Sequence, residues 1–411
     1  MKQKKLMLLG GLRYLLPVID AAHKQGYYVI TADYLPNSIA HKYSDEYVNV
    51  SVIDKEAVLK AAQNRQIDGI MSFACDPGVI AASYVQNQMR LPSFGPYESV
   101  AILQNKDKFR AFLAANSFNV PWAYGFGSVD EAWTERDMFT YPLIVKPTDS
   151  AGSKGCTRVD SAEKLLVALK YAYEHSIHGR IIVEEFIEKR GCSSDSDCFV
   201  QDGMLKFVSY SSQRFDDNAL NPYAPAAFSW PSTFTADEEA YLTAELQRLI
   251  SLLHMNTAVF NVETRVGVNG KPYIMEFSPR GGGNRLCEML RYASGTDLIT
   301  AITRAVVGDM PSDDMKSSYV DHWVEVILHA DSDGEFGGLR LAPNMRSHVV
   351  EEDLWVKPGD SVQGFSGANQ TIGTLVLRFD SSEEAEEALA TLRHWCEIVI
   401  VSRPPQRVIC E

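Results

Sequence analysis

The chain has 411 residues, 45% of them hydrophobic, which is enough to bury sizeable cores in two or three domains. Its formal net charge is -14 with no long lysine or arginine run, which sets aside a sequence-independent hold on nucleic acid, since that needs a basic surface. No apolar stretch reaches the length of a membrane span, and the seven cysteines are scattered without a Cys-x-x-Cys pair.

The N-terminal "MKQKKLMLLGG" has a short basic lead, but its apolar run stops at glycines and Arg13, so it reads as a first β-strand rather than a signal peptide. A helix is expected from about Leu15, then a strand at "YYVITADY", a helix around "KEAVLKAA" and a strand in "IDGIMSFACD". Such alternation argues for an open parallel sheet, whose ligands sit at the carboxyl ends of the strands. Gly10, Gly11 and Asp76 occupy those ends, while the Gly-x-Gly-x-x-Gly spacing of dinucleotide binding is missing. This α/β domain is placed at residues 1–118.

A central region follows "NVP" and is placed at 119–315, with its first lobe to about 185 and its second from about 186. It should contain hairpin-like strands, a helix near "AEKLLVALKYAYEH", strands at "RIIVEEF" and "GMLKFVSYS", and a helix at about 236–254. Residues 212–234, Arg214 included, read as a long Pro- and Asn-rich loop with several aromatics, a length that usually marks function or mobility. His175 and His178 fall at helical spacing without further ligands nearby and read as surface helix positions, not a zinc site. Cys192 and Cys198 are close enough in sequence to pair, but free thiols in a reducing cytoplasm are the expectation. Residues 316–411 form a third, α+β region with strands at "HWVEVILHA" and "TLVLRF" and a helix opened by the serines of "SSEEAEEAL".

Three stretches carry chemistry. In "YPLIVKPTDSAGSKG" a strand presents Lys146, and a turn follows in which Ser150, Gly152, Ser153 and Gly155 let backbone N–H groups curl around an anion, with Lys154 adding charge. A plain β-turn needs fewer glycines and no lysine on each side. "IIVEEFIEK" is an apolar strand ending in Glu184 and Glu185, then Phe186 and Ile187, and such an end can pair with an adenine edge. In "VFNVETRVGVNGKPYIMEFSPRGGGN", Asn269-Gly270 signals a two-residue type I′ hairpin turn. That register sets Glu263 directly opposite Glu276 as a close pair, with Cα atoms about 4.5 Å apart. It also places Asn261, Glu263, Arg265, Ile274, Glu276 and Ser278 on one face, and Val262, Thr264, Tyr273 and Phe277 on the other. Two carboxylates at that spacing repel by about 4 kcal/mol at an effective dielectric of 20. Either an ion-pair network with Arg265 or Arg280 compensates, or one or two divalent cations do.

These pieces in this order resemble the ATP-grasp superfamily, over roughly residues 5 to 310. The resemblance implies an ATP-grasp fold with an N-terminal open parallel α/β domain, a two-lobed ATP-binding region and a small C-terminal α+β domain. It implies ATP contacts from Lys106, Lys146, the 149–155 lid, Glu184 on the adenine amino group and backbone at Glu185 to Ile187 on the ring. It further implies magnesium (manganese as a substitute) on Glu263, Glu276 and Ser278, and Arg280 as the catalytic arginine. Two departures stand out: Glu276-Phe277-Ser278 replaces the family's Glu-x-Asn, with Asn261 or water as substitute ligands, and Ser193 stands where a nucleotide-holding glutamate is usual, with Asp195 or Asp197 as substitutes. The activity implied is an ATP-dependent carboxylate–amine ligase working through an acyl phosphate, with an amino acid as one plausible substrate. Carboxyphosphate chemistry and a degenerate nucleotide-binding regulator are the alternatives. Substrate contacts are expected from Asp76, Arg214, Gly282, Gly283 and Asn284, in a cytoplasmic protein with small-molecule partners and compatible with a homodimer.

Overall fold

The structure is a computed structural model describing residues 2–150, 152–310, 315 and 318–401. It divides into two compact units, residues 1–210 with 233–318, and residues 211–232 with 319 onward.

The first unit opens with a parallel sheet of β1 (Lys5–Leu9), β2 (Tyr28–Asp33), β3 (Glu46–Asn49) and β4 (Gly69–Ser72), in the order β3-β2-β1-β4. Strands β1, β2 and β4 are short and almost wholly buried, as expected when helices cover both faces of a parallel sheet. Helices α1 (Leu16–Lys24), α2 (Lys55–Arg65) and α3 (Val79–Met89) complete this αβ layer. Asp54 caps α2 by accepting the Ala57 N–H. Then α4 (Tyr97–Leu103) and α5 (Lys106–Ala115) lead to an antiparallel sheet of β5 (Ala123–Phe126), β6 (Leu143–Pro147), β7 (Thr157–Val159) and β8 (Ile181–Glu185). Helices α6 (Val129–Thr134) and α7 (Ala162–Glu174) flank it, and Leu143, Val145, Leu165, Leu169 and Val183 form its core.

A second antiparallel sheet of the same unit begins with β9 (Ser194–Gln201) and β10 (Met204–Phe207). The chain then forms β11 (Ser212–Phe215) and β12 (Pro225–Trp230), which belong to the second unit, before returning in α8 (Ala236–Leu252), β13 (Ala258–Val266) and β14 (Pro272–Ser278). The sheet order is β10-β9-β13-β14. Stacked Phe260 and Phe277, 4.4 Å apart, mark its apolar side. Helices α9 (Leu286–Ser294) and α10 (Leu298–Ala305) close the unit.

In the second unit, β15 (His322–His329), β16 (Gly334–Leu341), β17 (Val349–Leu354), β18 (Ser361–Val362), β19 (Thr371–Phe379) and β20 (Cys396–Val401) make two sheets, ordered β11-β12-β15-β19-β17 and β18-β16-β20. Ser381 caps α11 (Ser382–Ala390) through the Glu384 N–H, as its sequence implied. The 212–234 segment is a correction: its alternating "PAAFSW" is a strand paired with β15, because the apolar residues seal a sheet that the C-terminal region builds. No described helix is long and apolar enough to cross a membrane.

Candidate functional site

The expected pairing of Glu263 with Glu276 is present, but the chain reaches it by another route. The turn is a three-residue loop: Gly267 N–H donates to Lys271 O at 2.9 Å, Gly270 N–H donates to Gly267 O, and Gly270 takes φ +74. Pairing is therefore offset by one through Val266↔Pro272, Arg265↔Tyr273 and Thr264↔Ile274. A bulge at Met275 removes the offset, restoring Glu263↔Glu276 and Asn261↔Ser278. Between turn and bulge the faces exchange, so Tyr273 rather than Ile274 shares the side of Arg265, correcting the alternation read from the sequence.

Strand β9 supplies what the sequence reading missed. Asp195 lies opposite Glu263 and Asp197 opposite Asn261, so three carboxylates run in a row across β9, β13 and β14. Burial, followed by the neighbouring Glu276, pushes the Glu263 carboxyl up to about 7. Burial and then Glu263 hold Asp195 well above the ordinary carboxylate range. Asp197, raised by burial to about 6, accepts the Gly282 N–H at 2.9 Å and Asn261 Nδ2 at 3.2 Å, with Cys287 Sγ at 2.9 Å. Asn261 Nδ2 also donates to Asp195 Oδ1 at 2.7 Å. Asp195 and Asp197 are thus buried on the acidic face. Ser193 itself accepts from Arg265.

Among the described residues no three His, Cys, Asp or Glu side chains converge as a metal cage. A Glu263–Glu276 site fits a small hard cation that takes two carboxylates and draws its other oxygens from phosphates and water. The carboxyls raised on this face, Glu263 and Asp195, fit such a cation as well. Ser278, expected as a further ligand, has protein partners: its fully buried hydroxyl accepts from Gln104 Nε2 at 2.8 Å and donates to Asp76 Oδ1 at 3.1 Å, so it joins another cluster.

That cluster unites two expected residues. Arg280 binds Asp76 bidentately, Nε to Oδ1 at 2.7 Å and Nη2 to Oδ2 at 2.9 Å. Burial alone would raise the Asp76 carboxyl, but Arg280, Lys106 and Ser278 outweigh it and hold the group below its ordinary value. Asp76 lines a cavity of about 460 Å³ alongside Gln104, Lys106, Ser150 and Glu276.

Lys106, the first residue of α5, donates from Nζ to the Ser150 carbonyl at 3.1 Å. Glu184, expected to contact adenine, has protein partners on both carboxylate oxygens. It is wholly buried, with Arg110 Nε at 2.9 Å from one oxygen and Lys146 on the other, because an ionised carboxylate inside a sheet needs charged partners. Arg110 then reaches the Met275 carbonyl at 2.9 Å, tying the bulge to β8. Around the expected hinge, Glu185 N–H donates to Trp122 O and Phe186 N–H to Pro142 O. Ile187 O accepts Arg265 Nη1 at 3.0 Å, and the Arg158 guanidinium lies 4.4 Å over the Phe186 ring.

In the glycine-rich loop Gly152, Ser153 and Gly155 all take positive φ, so the turn is built from the left-handed conformations the sequence implied. Gly152 and Lys154 are exposed, and Gly155 is wedged between Pro147 and His175. Asp149 anchors the loop by accepting from Ser176 Oγ, Ile177 N–H and both the N–H and Nδ1 of His178, which lies past the end of α7.

In the glycine run, packing sets the choice of residue at two positions. A Cβ on Gly281 would strike the Phe73 ring at 2.3 Å, and one on Gly282 would meet Leu286 at 2.5 Å, so both are there for internal packing. Gly283 faces open space, and Asn284 Oδ1 accepts Tyr14 OH at 3.4 Å. Arg214 lies in the second unit, paired with Glu386 and bonded to Ser229 Oγ. Cys192 and Cys198 are free thiols.

With that geometry in place, residues 139–288 match the family model of the ATP-grasp domain. This chain carries an ATP-grasp domain. The match spans Lys146, the glycine-rich loop, Glu184, both glutamates of the hairpin and Arg280. Among solved structures, the L-amino acid ligase from Bacillus licheniformis aligns with 98% of this chain and 100% of its own at TM-score 0.80 and 18% identity. Phosphoribosylglycinamide synthetase from Anaerococcus prevotii aligns with 97% and 100% at TM-score 0.75 and 19% identity. At such identities the likeness speaks to fold. Among curated proteins, the carbamoyl phosphate synthase large chain of Helicobacter pylori is 23% identical over 280 residues, 66% of this chain and 25% of that protein. A formate-dependent phosphoribosylglycinamide formyltransferase from Prochlorococcus marinus is 31% identical over 193 residues, 45% of this chain and 48% of that protein. The chain therefore spans between a quarter and about half of the length of these curated relatives.

Proposed function

We propose that the protein is an ADP-forming ligase that joins a carboxylate to an amine. A substrate carboxylate oxygen attacks the γ-phosphate of ATP, ADP leaves, and the amine displaces phosphate from the resulting acyl phosphate. The observation that carries this reading is the facing pair Glu263 and Glu276, of which Glu276 lines one cavity with Lys106 and with Asp76, the partner of Arg280.

Glu263 and Glu276 would hold magnesium, which supplies charge neutralisation at the phosphates. Lys106, engaged by a carbonyl rather than a carboxylate, keeps its positive charge for a phosphoryl oxygen. Lys146 would share its ammonium between Glu184 and the nucleotide, and Ser150, Gly152, Ser153, Lys154 and Gly155 would cover the phosphates and exclude water. Arg280 would stabilise charge on the transferring group, an interaction worth about 3–4 kcal/mol when one such donor is removed. Asp76 holds the guanidinium in orientation.

The cavity also favours an organic acid over bicarbonate. Beyond Asp76 it continues along Ile53, Pro77, Ile80 and Tyr97, an apolar wall for which bicarbonate has no use. Purified protein with ATP, magnesium and a pool of carboxylates and amines is expected to release equal ADP and phosphate, and Glu276→Ala to abolish release. Release driven by bicarbonate alone would move the reading to carboxyphosphate chemistry, and undiminished release by Glu276→Ala would overturn the metal assignment.

A further inference from the structure

The same cavity has a second cation that the proposed chemistry does not use. Lys55, in the first turn of α2, lines it together with Ile53, Pro77, Ile80 and Asp76. Its partners are uncharged: Nζ donates to Tyr97 OH at 3.2 Å and lies 4.6 Å over the Tyr84 ring and 5.2 Å over the Tyr97 ring. The neighbouring acids are otherwise engaged, Glu56 accepting Tyr84 OH at 2.7 Å and Asp54 capping α2. Among the described residues Lys55, like Lys106, forms no ion pair, while Arg110, Lys146 and Arg280 do. A lysine held by two aromatic faces is fixed in place without being neutralised, which leaves its charge for a ligand.

We propose that Lys55 and Tyr97 form a specificity subsite for a second anionic group on the substrate acid, carried on an apolar stem that lies against Ile53, Pro77 and Ile80. This rests on the ligase reading for which end of the acid reacts: one carboxylate meets Lys106 and Arg280, and the far anion, carboxylate or phosphate-like, meets Lys55. A monoacid of equal length would leave the ammonium facing an alkyl end, and an acid with a distal ammonium would be repelled.

The test uses three acids with one stem: hexanoate, adipate and 5-phosphonopentanoate. ADP release in the presence of an amine pool gives a KM for each, and the melting temperature with each acid reports binding without turnover. The wild type is expected to prefer one or both diacids over hexanoate by at least tenfold in KM, and the arm that wins distinguishes a carboxylate from a phosphate-like terminus. In Lys55→Gln that preference should collapse toward unity, and the diacid-induced rise in melting temperature should be lost, while Tyr97→Phe, which keeps the ring and removes the hydroxyl, should weaken it partially. Turnover with equal KM for all three acids overturns the subsite and leaves the ligase reading standing. A Lys55-dependent diacid shift without turnover of any acid supports the subsite and counts against the ligase reading. A diacid preference or shift that survives Lys55→Gln overturns the subsite.

Discussion

With Arg110 on one oxygen and Lys146 on the other, Glu184 carries a buried charge that its partners neutralise within β8. Arg110 and Lys146 hold its carboxyl at about 2, against burial, which would raise it. The folded value lies below the unfolded one, so the stabilisation is fully present above about pH 4.3 and is lost as pH falls toward the folded value. Glu184→Gln leaves Arg110 and Lys146 without a counter-charge and should destabilise the protein by about 3–5 kcal/mol. Denaturant melts at pH 7 and pH 3 check both: the mutant's deficit should shrink at the acid end. Glu263 behaves in the opposite sense. Its folded value, pushed up to about 7 by burial and by Glu276, exceeds the unfolded one, so the folded state binds the extra proton. The protein without metal should lose stability between about pH 4.3 and 7 at this group, and magnesium with nucleotide should cancel that loss by favouring the ionised form. Melting temperatures across that range, with and without magnesium and ADP, test the sign; a metal-independent profile contradicts it.

Two elements do most to assemble the site, the β13–β14 hairpin and the glycine run that follows it. The hairpin contains two register shifts of opposite sense, one at its turn and one at Met275, and their sum places Glu263 against Glu276. The Asn-Gly signal thus led to the right pair through the wrong turn: Gly270 does adopt positive φ, but as the last residue of a three-residue loop. Beyond the hairpin, Gly282 sits where Asn261, Asp197 and Leu286 converge, and a methyl group there would lie 2.5–3.0 Å from each. Gly282→Ala should therefore cost about 1–3 kcal/mol by overpacking. Gly283→Ala, which meets open space, should melt close to the wild type. Thermal melts of the pair separate packing from backbone flexibility as the reason for the glycines; equal losses would sink the distinction.

At the scale of the molecule, the chain crosses from the first unit to the second and back before β13. Strands β11 and β12 join a sheet whose remaining strands lie more than 90 residues further on. A protein cut after residue 318 retains β12 but loses β15, the strand to which it is hydrogen-bonded. The buried Phe228 and Trp230 then have no sheet to cover them. Such a truncation should express as an insoluble or aggregating chain, checked by size-exclusion chromatography, whereas removal of both segments 211–232 and 319–411 with a short bridging linker should recover soluble protein. Soluble, monomeric behaviour of the simple truncation would show that the hairpin does not need its long-range partner.

The sequence by itself determined the local elements and the chemistry within them. The alternation of strand and helix gave the N-terminal parallel sheet, Ser381 gave a helix cap, and the lysine, glycine and glutamate spacings marked Lys146, the 149–155 turn and the Glu263–Glu276 pair. These are legible because propensity, turn chemistry and period-two alternation act over a few residues. Strand β9 escaped notice because "SDSDCFVQ" alternates a polar face with a small or apolar one, and the polar face is buried on the acidic row where solvent would be expected. Its period-two aspartates, Asp195 and Asp197, were the available signal. Only the tertiary structure decided that Glu184 serves Arg110 and Lys146, that Ser278 serves Asp76 and Gln104, and that residues 212–215 and 225–230 are strands rather than loop. The physical reason is the same in each case: which partner satisfies a buried charge, hydroxyl or strand edge depends on elements distant in sequence, and no local pattern encodes that choice.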